Sequence, residues 1–386
     1  MEEVTEEYKK TLDLALALPF MKQRSHNKNL PRELKALSSN ISGTQHLLIS
    51  QREIVIDVMD RRTDSLPSRS NWHLQTLSCI IFMIVCTGGL VVSSCLTLYI
   101  LLCTRYYPLL LLYFVWVWYD HDSRDSLERR SQRVRGLAIW RYFRDYFPVR
   151  LVKTAELDPN LSYMFCVFPH GVLGLGTAIN FITDANKMDE VFPNHKSYLA
   201  TLTYHFKLPY VRELGHALGF CPATPKSISN VLSRPNSVLV LIVGGAAESL
   251  RSRPGQYLFF LKQRKGFVKM ALKHGTPLVP VVTFGEPDIY DQVDNPDGSR
   301  FRRCQEFIRK ITTFAPIIPY GNGPLPYRRE LITVVGKPLP IKETLNPTQE
   351  EIDDLHKKFT TELIAFFEEK KKLYISNHEN THLIII

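Results

Sequence analysis

Apolar residues are distributed along this chain in three ways, and each predicts a different kind of element. From Leu74 to Tyr119 they form an almost unbroken run whose only charged residue is Arg105. One membrane span needs roughly 20 apolar residues, so the run is long enough for two spans joined by a tight turn at Gly88-Gly89 or Ser93-Ser94. The alternative is one span, Leu77 to Leu102, followed by an interfacial aromatic segment, Tyr106 to Tyr119. Arg61, Arg62 and Arg69 precede the run, and Arg124, Arg129, Arg130, Arg133 and Arg135 follow it. Basic flanks prefer the cytosol, and both can lie there only if the number of crossings is even, so flanking charge favours a hairpin. Arg105 at mid-depth would cost roughly 2.5–3.5 kcal/mol, which makes a shallow, non-spanning wedge a variant of the same reading. Trp116 and Trp118 suit the aromatic belt of an interface.

The second pattern has helical period. Over Ser126 to Pro148, Val134, Leu137, Trp140, Phe143 and Phe147 recur at three- to four-residue steps, with arginines on the other side. This is a basic amphipathic helix, its aromatic face either in the headgroups or docked on the domain that follows. The third pattern begins at Leu151. Short apolar runs, Tyr163 to Phe168, Val238 to Val243, Leu278 to Thr283 and Leu331 to Val335, read as buried strands. Helix-length segments lie between or after them: Lys226 to Leu232, Gln263 to His274 and Thr348 to Lys372. Strands separated by crossovers imply an α/β domain with a mostly parallel or mixed sheet flanked by helices. In the last helix Ile352, Leu355, Phe359, Leu363 and Phe366 make one packing stripe. The expected organisation is a flexible cytosolic arm over 1–70, a membrane-embedded helical hairpin over 71–120, an interfacial basic helix over 121–150 and a globular domain over 151–386.

Two strand ends carry candidate chemistry. Tyr163 to Phe168 runs into Pro169-His170-Gly171, and Val238 to Val243 runs into Gly244-Gly245-Ala246-Ala247-Glu248-Ser249. A histidine at a strand end either caps a turn or acts as a base. If a helix starts just after it, the positive helix end keeps the ring neutral. The small residues of the second strand end allow a ligand or another backbone to approach closely, and Glu248 follows them. Arg251, Arg253, Arg264, Lys265 and Lys269 supply positive charge beyond.

Composition narrows the classes. The chain has 386 residues and a net charge of +10, which raises nucleic acid or an anionic membrane surface as partners. No nucleic-acid-binding motif is present, which disfavours nucleic acid. The seven cysteines, at 79, 86, 95, 103, 166, 221 and 304, form no Cys-x-x-Cys pair and point to a reducing compartment. Gly171-x-x-Gly174-x-Gly176 is not the dinucleotide spacing, and there is no Walker loop, nucleophile elbow or local metal-binding cluster.

Several ordered blocks resemble the type-2 diacylglycerol acyltransferase family, with its monoacylglycerol and wax-alcohol relatives. They are Tyr142-Phe143-Arg144-Asp145-Tyr146-Phe147-Pro148, Pro169-His170-Gly171, Val243 to Leu250, and Arg264-Lys265-Gly266-Phe267-Val268-Lys269. The resemblance runs from about Asn71 to Lys372. It implies an enzyme of the endoplasmic-reticulum membrane, sometimes of lipid droplets, that moves an acyl group from acyl-CoA to a neutral-lipid hydroxyl. Two departures stand out. Familiar animal diacylglycerol enzymes carry His-Pro-His-Gly where this chain has Phe168 first, so His170 alone carries over as the catalytic histidine. The broader glycerol-phosphate acyltransferases place an aspartate five residues after their histidine, where this chain has Leu175.

Glu248 is then the carboxylate expected to orient or polarise His170. Phe168, Pro169, Gly171, Gly244, Gly245, Ser249, Arg264 and Lys265 are the expected substrate contacts. Direct transfer needs no metal or redox cofactor, only acyl-CoA as co-substrate. The expected product is triacylglycerol from diacylglycerol. Transfer to monoacylglycerol or a long-chain alcohol, or a non-catalytic lipid-droplet protein, are the alternatives, and homo-oligomer formation stays open.

Overall fold

In the computed structural model, residues 71–120 and 127–386 are described. The expected arm over 1–70 and the first residues of the basic segment lie outside them. The apolar run forms helix α1 (Trp72–Cys103) and helix α2 (Tyr107–Tyr119). This departs from the expected hairpin: Gly88-Gly89 and Ser93-Ser94 both lie inside α1, and the break falls at Thr104–Tyr106. In an apolar helix two glycines weaken the backbone by only about 1 kcal/mol each. Gly89 is instead a contact point, since a Cβ there would lie 3.2 Å from Val211 Cγ2. At the break Thr104 turns extended, its hydroxyl donating to Ile100 O (2.8 Å) and accepting from Tyr106 N–H (3.2 Å), and Pro108 opens α2. At 1.5 Å per residue α1 is roughly 48 Å long and α2 roughly 20 Å. Of these two, only α1 is long and apolar enough to cross a membrane, by length and composition.

The start of α1 docks on the domain. Phe82 stacks on Phe143 at 4.4 Å and meets Trp140 edge-on. Arg328 lies over the rings of Trp72 and Tyr146 and donates to Gln75 Oε1 and Thr76 Oγ1. The basic amphipathic segment is a short turn of helix, Gln132–Arg135, followed by α3 (Ala138–Tyr146). Its aromatic face, with Trp140, Phe143, Tyr146 and Phe147 buried, is turned to α1 and the domain, the second of the two placements the sequence allowed.

Eleven strands follow among the described residues: β1 (Val149–Lys153), β2 (Tyr163–Phe168), β3 (Lys196–Thr201), β4 (Phe220–Pro222), β5 (Ser237–Ile242), β6 (Tyr257–Phe259), β7 (Leu278–Phe284), β8 (Asp291–Gln292), β9 (Pro319–Tyr320), β10 (Leu331–Val335) and β11 (Leu383–Ile385). Seven form the main sheet in the order β1-β10-β7-β2-β5-β3-β4. All its pairings are parallel except β10 with β7. Besides a four-residue turn at Met188–Val191, the α-helices among the described residues of this part are α4 (Leu175–Ile182), α5 (Val211–Leu218), α6 (Pro225–Leu232), α7 (Gly245–Ser249), α8 (Gly266–His274), α9 (Arg300–Thr312) and α10 (Gln349–Tyr374). The expected mixed sheet flanked by helices is therefore present.

The central strand β2 is buried on both faces because its alternate side chains enter two cores. Tyr163, Phe165 and Val167 join α4, α3 and α1, while Met164, Cys166 and Phe168 join α8 and α10. The apolar residues Leu383–Ile385 pair as β11 in parallel with β6. Ile386 O accepts from the N–H groups of Leu261 and Lys262. All seven cysteines are free thiols.

Candidate active site

Because β5, β2 and β7 run parallel side by side, their carboxyl ends open on one edge of the sheet, where α/β proteins present their ligand sites. His170 follows β2, the Gly244–Ser249 turn follows β5 and Glu286 follows β7. Pro169, joined to Phe168 by a cis peptide, leads the chain out of the strand.

His170 meets two groups from the β5 end. Its ring Nδ1 lies 2.8 Å from Ser249 Oγ, and its backbone N–H donates to Glu248 Oε1. Glu248 Oε2 accepts from Phe260 N–H at 2.9 Å. So the expected carboxylate does reach His170, but it holds the backbone. The ring is partnered by Ser249, which the sequence groups with the substrate contacts. Packing explains this division. Gly244 has no side chain, and a Cβ there would collide with the Glu248 carboxylate; α7 then presents Ser249 one residue further on.

A second buried carboxylate, Glu286, is absent from the residues that the sequence singles out. It is fully buried and accepts from the N–H groups of Leu175 (2.7 Å) and Gly176 (2.9 Å) at the start of α4. It packs on Gly171, where a Cβ would lie 2.7 Å from Glu286 Cγ and where φ is +57°. Position 175, which lacks an aspartate side chain, thus receives at its backbone N–H a carboxylate from the turn that follows β7. A signal for it exists in the sequence: Phe284-Gly285-Glu286 ends a buried strand in glycine and acid, as the β5 end does.

Burial sets the electrostatics. Desolvation pushes the His170 imidazole down to about 4, against smaller upward pulls from the backbone of Gly171 and His170, so the ring is neutral at physiological pH. Desolvation pushes Glu248 up to about 7, opposed by the N–H groups of Phe260 and His170 and by the charge of Arg264. Glu286 likewise rises to about 7, opposed by the N–H groups of Gly176 and Leu175. A carboxyl raised in the fold stabilises the protein fully below its unfolded value near 4.5, and that contribution is lost as pH rises through about 7. For Glu286 the swing is roughly 3 kcal/mol. Between pH 5 and 7.5 the melting temperature of the wild type should therefore fall by about 5 °C more than that of Glu286→Gln. Equal slopes in a melting series would remove the assignment.

The remaining expected contacts separate into two groups. Gly171, Gly244 and Gly245 line the turns around His170, with Pro169 buried behind them, and Arg264 reaches the edge by donating to Gly244 O at 3.3 Å. Phe168 does not line the edge, being fully buried and stacked on Phe259 at 4.9 Å. Lys265 is paired with Asp353 of α10 at 2.7 Å. Gln292, also unforeseen, ties Ser249 O and Ser252 O together from β8.

A histidine with a hydroxyl on one ring nitrogen thus stands at a glycine-lined sheet edge, in a chain that also carries a long apolar helix. The family model described as diacylglycerol acyltransferase matches residues 99–386, and the chain belongs to that family. It is similar to 2-acylglycerol O-acyltransferase 1 of Bos taurus, 43% identical over 77% of this chain and 89% of the relative. It is also similar to diacylglycerol O-acyltransferase 2 of Rattus norvegicus, at 38% over 90% and 91%, and of Homo sapiens, at 42% over 73% and 75%. The crystal structure of the 1-acyl-sn-glycerophosphate (LPA) acyltransferase of Thermotoga maritima aligns at 13% identity with a TM-score of 0.36, covering 75% of this chain and 97% of that one. The chain is an acyltransferase enzyme of acylglycerol metabolism.

Proposed function

We propose that this enzyme transfers an acyl group from acyl-CoA to diacylglycerol, making triacylglycerol at the cytosolic face of the endoplasmic-reticulum membrane and on the surface of lipid droplets. His170 is the general base. The observation that carries this reading is the His170 ring held through Nδ1 by Ser249 at the open end of the sheet; burial, which favours the uncharged imidazole, supports it. With the Nδ1 proton donated to Ser249 Oγ, Nε2 takes the proton of the acceptor hydroxyl as its oxygen attacks the thioester carbonyl. N–H groups at Gly171 or Gly245 stabilise the oxyanion. The C–S bond then breaks and the imidazolium returns its proton to the thiolate, releasing coenzyme A and the ester. No metal or redox cofactor enters this balance. Arg264 is the basic residue placed to meet the phosphates of acyl-CoA, and α1 brings the site to the bilayer that holds acceptor and product.

Ser249→Ala should lower kcat by about tenfold, the effect of losing one orienting hydrogen bond, with KM for acyl-CoA unchanged. Full retention of kcat in steady-state assays would remove Ser249 from this role. Transfer to monoacylglycerol is a second reading, supported by the 2-acylglycerol O-acyltransferase relative, which is as similar to this chain as the diacylglycerol enzymes. Microsomes containing the protein, given labelled acyl-CoA with diacylglycerol, monoacylglycerol, a fatty alcohol or lysophosphatidate, separate the readings by the product formed. No acylated product from any acceptor would overturn both.

A further inference from the structure

Helix α9 is built inside out. Its buried residues are Arg302 and Gln305, while Phe307 and Ile311 are 64% and 67% exposed. Phe301, Ile308 and the following Phe314 are exposed too. The inward face is polar because it is spent on the active-site turn: Arg302 donates to Leu250 O at 2.8 Å, and Gln305 accepts from Asn295, which itself donates to Leu250 O. Phe307 and Ile311 are one turn apart and share the face opposite Arg302 and Gln305. Arg303 and Lys310 lie along one side of that face and Arg300 stands in line with it at the amino end of the helix, all three exposed. In water an apolar outer face and a polar inner one is the wrong arrangement for a helix. It is the right arrangement for a surface whose outer medium is lipid, with cations at the level of anionic headgroups.

We infer that the outward face of α9 docks on the interface of an anionic phospholipid bilayer. It forms a second membrane contact, separate in sequence from α1, that holds the mouth of the site against the lipid supplying the acceptor. This rests on the functional reading above. Charge complementarity commits the face to lipid: three exposed cations border it, on a chain of net charge +10. The hydrogen bonds from α9 to Leu250, next to Ser249, make it the helix through which bilayer contact reaches the site.

The test uses the full chain, with Cys86, Cys95, Cys103 and Cys304 replaced by serine, in proteoliposomes of phosphatidylcholine and phosphatidylserine. An environment-sensitive fluorophore is attached at Phe307→Cys or, as a control on the acidic start of α10, at Glu350→Cys. The label at 307 should emit blue-shifted and be quenched about twofold by spin-labelled lipid, less so without phosphatidylserine, while the label at 350 stays water-like. A water-like label at 307 overturns the inference. So does a blue-shifted label that spin-labelled lipid does not quench and that reverts when protein is diluted in lipid, because a second copy then covers the face. In the otherwise unlabelled protein, Phe307→Glu with Ile311→Glu should raise KM for bilayer-borne acceptor about tenfold with kcat retained; an unchanged KM overturns it as well. Acyl transfer by the same vesicles separates the two ideas. Active vesicles with a water-like label defeat only the docking surface, whereas vesicles inactive toward every acceptor defeat the functional reading.

Discussion

His170→Ala is expected to lower acyl transfer by about a thousandfold, within the range for loss of a general base, while the protein stays folded and membrane-bound. The fold should survive because the ring contributes one side-chain hydrogen bond, to Ser249. The contact that organises the turn, from the backbone N–H to Glu248, does not depend on the side chain. Labelled product from microsomes measures the loss, and a thermal melt of the purified variant separates chemistry from unfolding. The pH profile adds a second readout. With the imidazole pushed down to about 4, the ring itself imposes no acid limb on kcat/KM near the ordinary histidine value. Activity within tenfold of wild type in the alanine variant would end the case for His170 as base.

The second large effect is expected from one methyl group. Gly244→Ala should lower activity by about a hundredfold or more, and Gly245→Ala by much less, although the two glycines are adjacent. Gly244 has ordinary helical dihedrals, so alanine suits its backbone, but its Cβ would collide with the Glu248 carboxylate. Displacing that carboxylate leaves the N–H groups of His170 and Phe260 without their acceptor. Each buried donor so stranded costs about 1–3 kcal/mol, and the backbone that carries His170 loses its anchor. At Gly245 the order is reversed. A Cβ there would have no atom within 4 Å, but φ is +60°, a strain of about 1–2 kcal/mol for an L-residue. Melting temperatures and initial rates of the two variants decide the matter; equal losses, or the larger one at Gly245, would mean that Glu248 is not the anchor.

The parts of the fold that could be read from the sequence were those where one physical signal had no rival. Strands β2, β5, β7 and β10 are short apolar runs, buried on both faces and closed by turn residues. Strand β3, with Lys196, Ser197 and Thr201 among its six residues, and the three-residue β4 lack that run. They exist because neighbouring strands pair with them. Gly88-Gly89 reads as a turn from dipeptide chemistry, yet in α1 the same glycines sit within a helix and one of them admits Val211. At the site, the sequence singled out His170, Glu248 and Ser249 as residues that follow buried strands, but not that they meet or which atom would face which. That choice depends on one turn of helix α7 and on the space left by Gly244. Glu286 had a local signal, the glycine and acid that close β7, but its partners Leu175 and Gly176 are more than 100 positions away in the chain and nothing local names them.

The pairing of β11 with β6 has a practical side for anyone handling this enzyme. Ile386 O holds the N–H groups of Leu261 and Lys262, Phe260 just before them holds Glu248, and Glu248 holds the backbone of His170. An affinity tag or fluorescent fusion joined directly after Ile386 would pull on a strand only a few hydrogen bonds from the proposed general base.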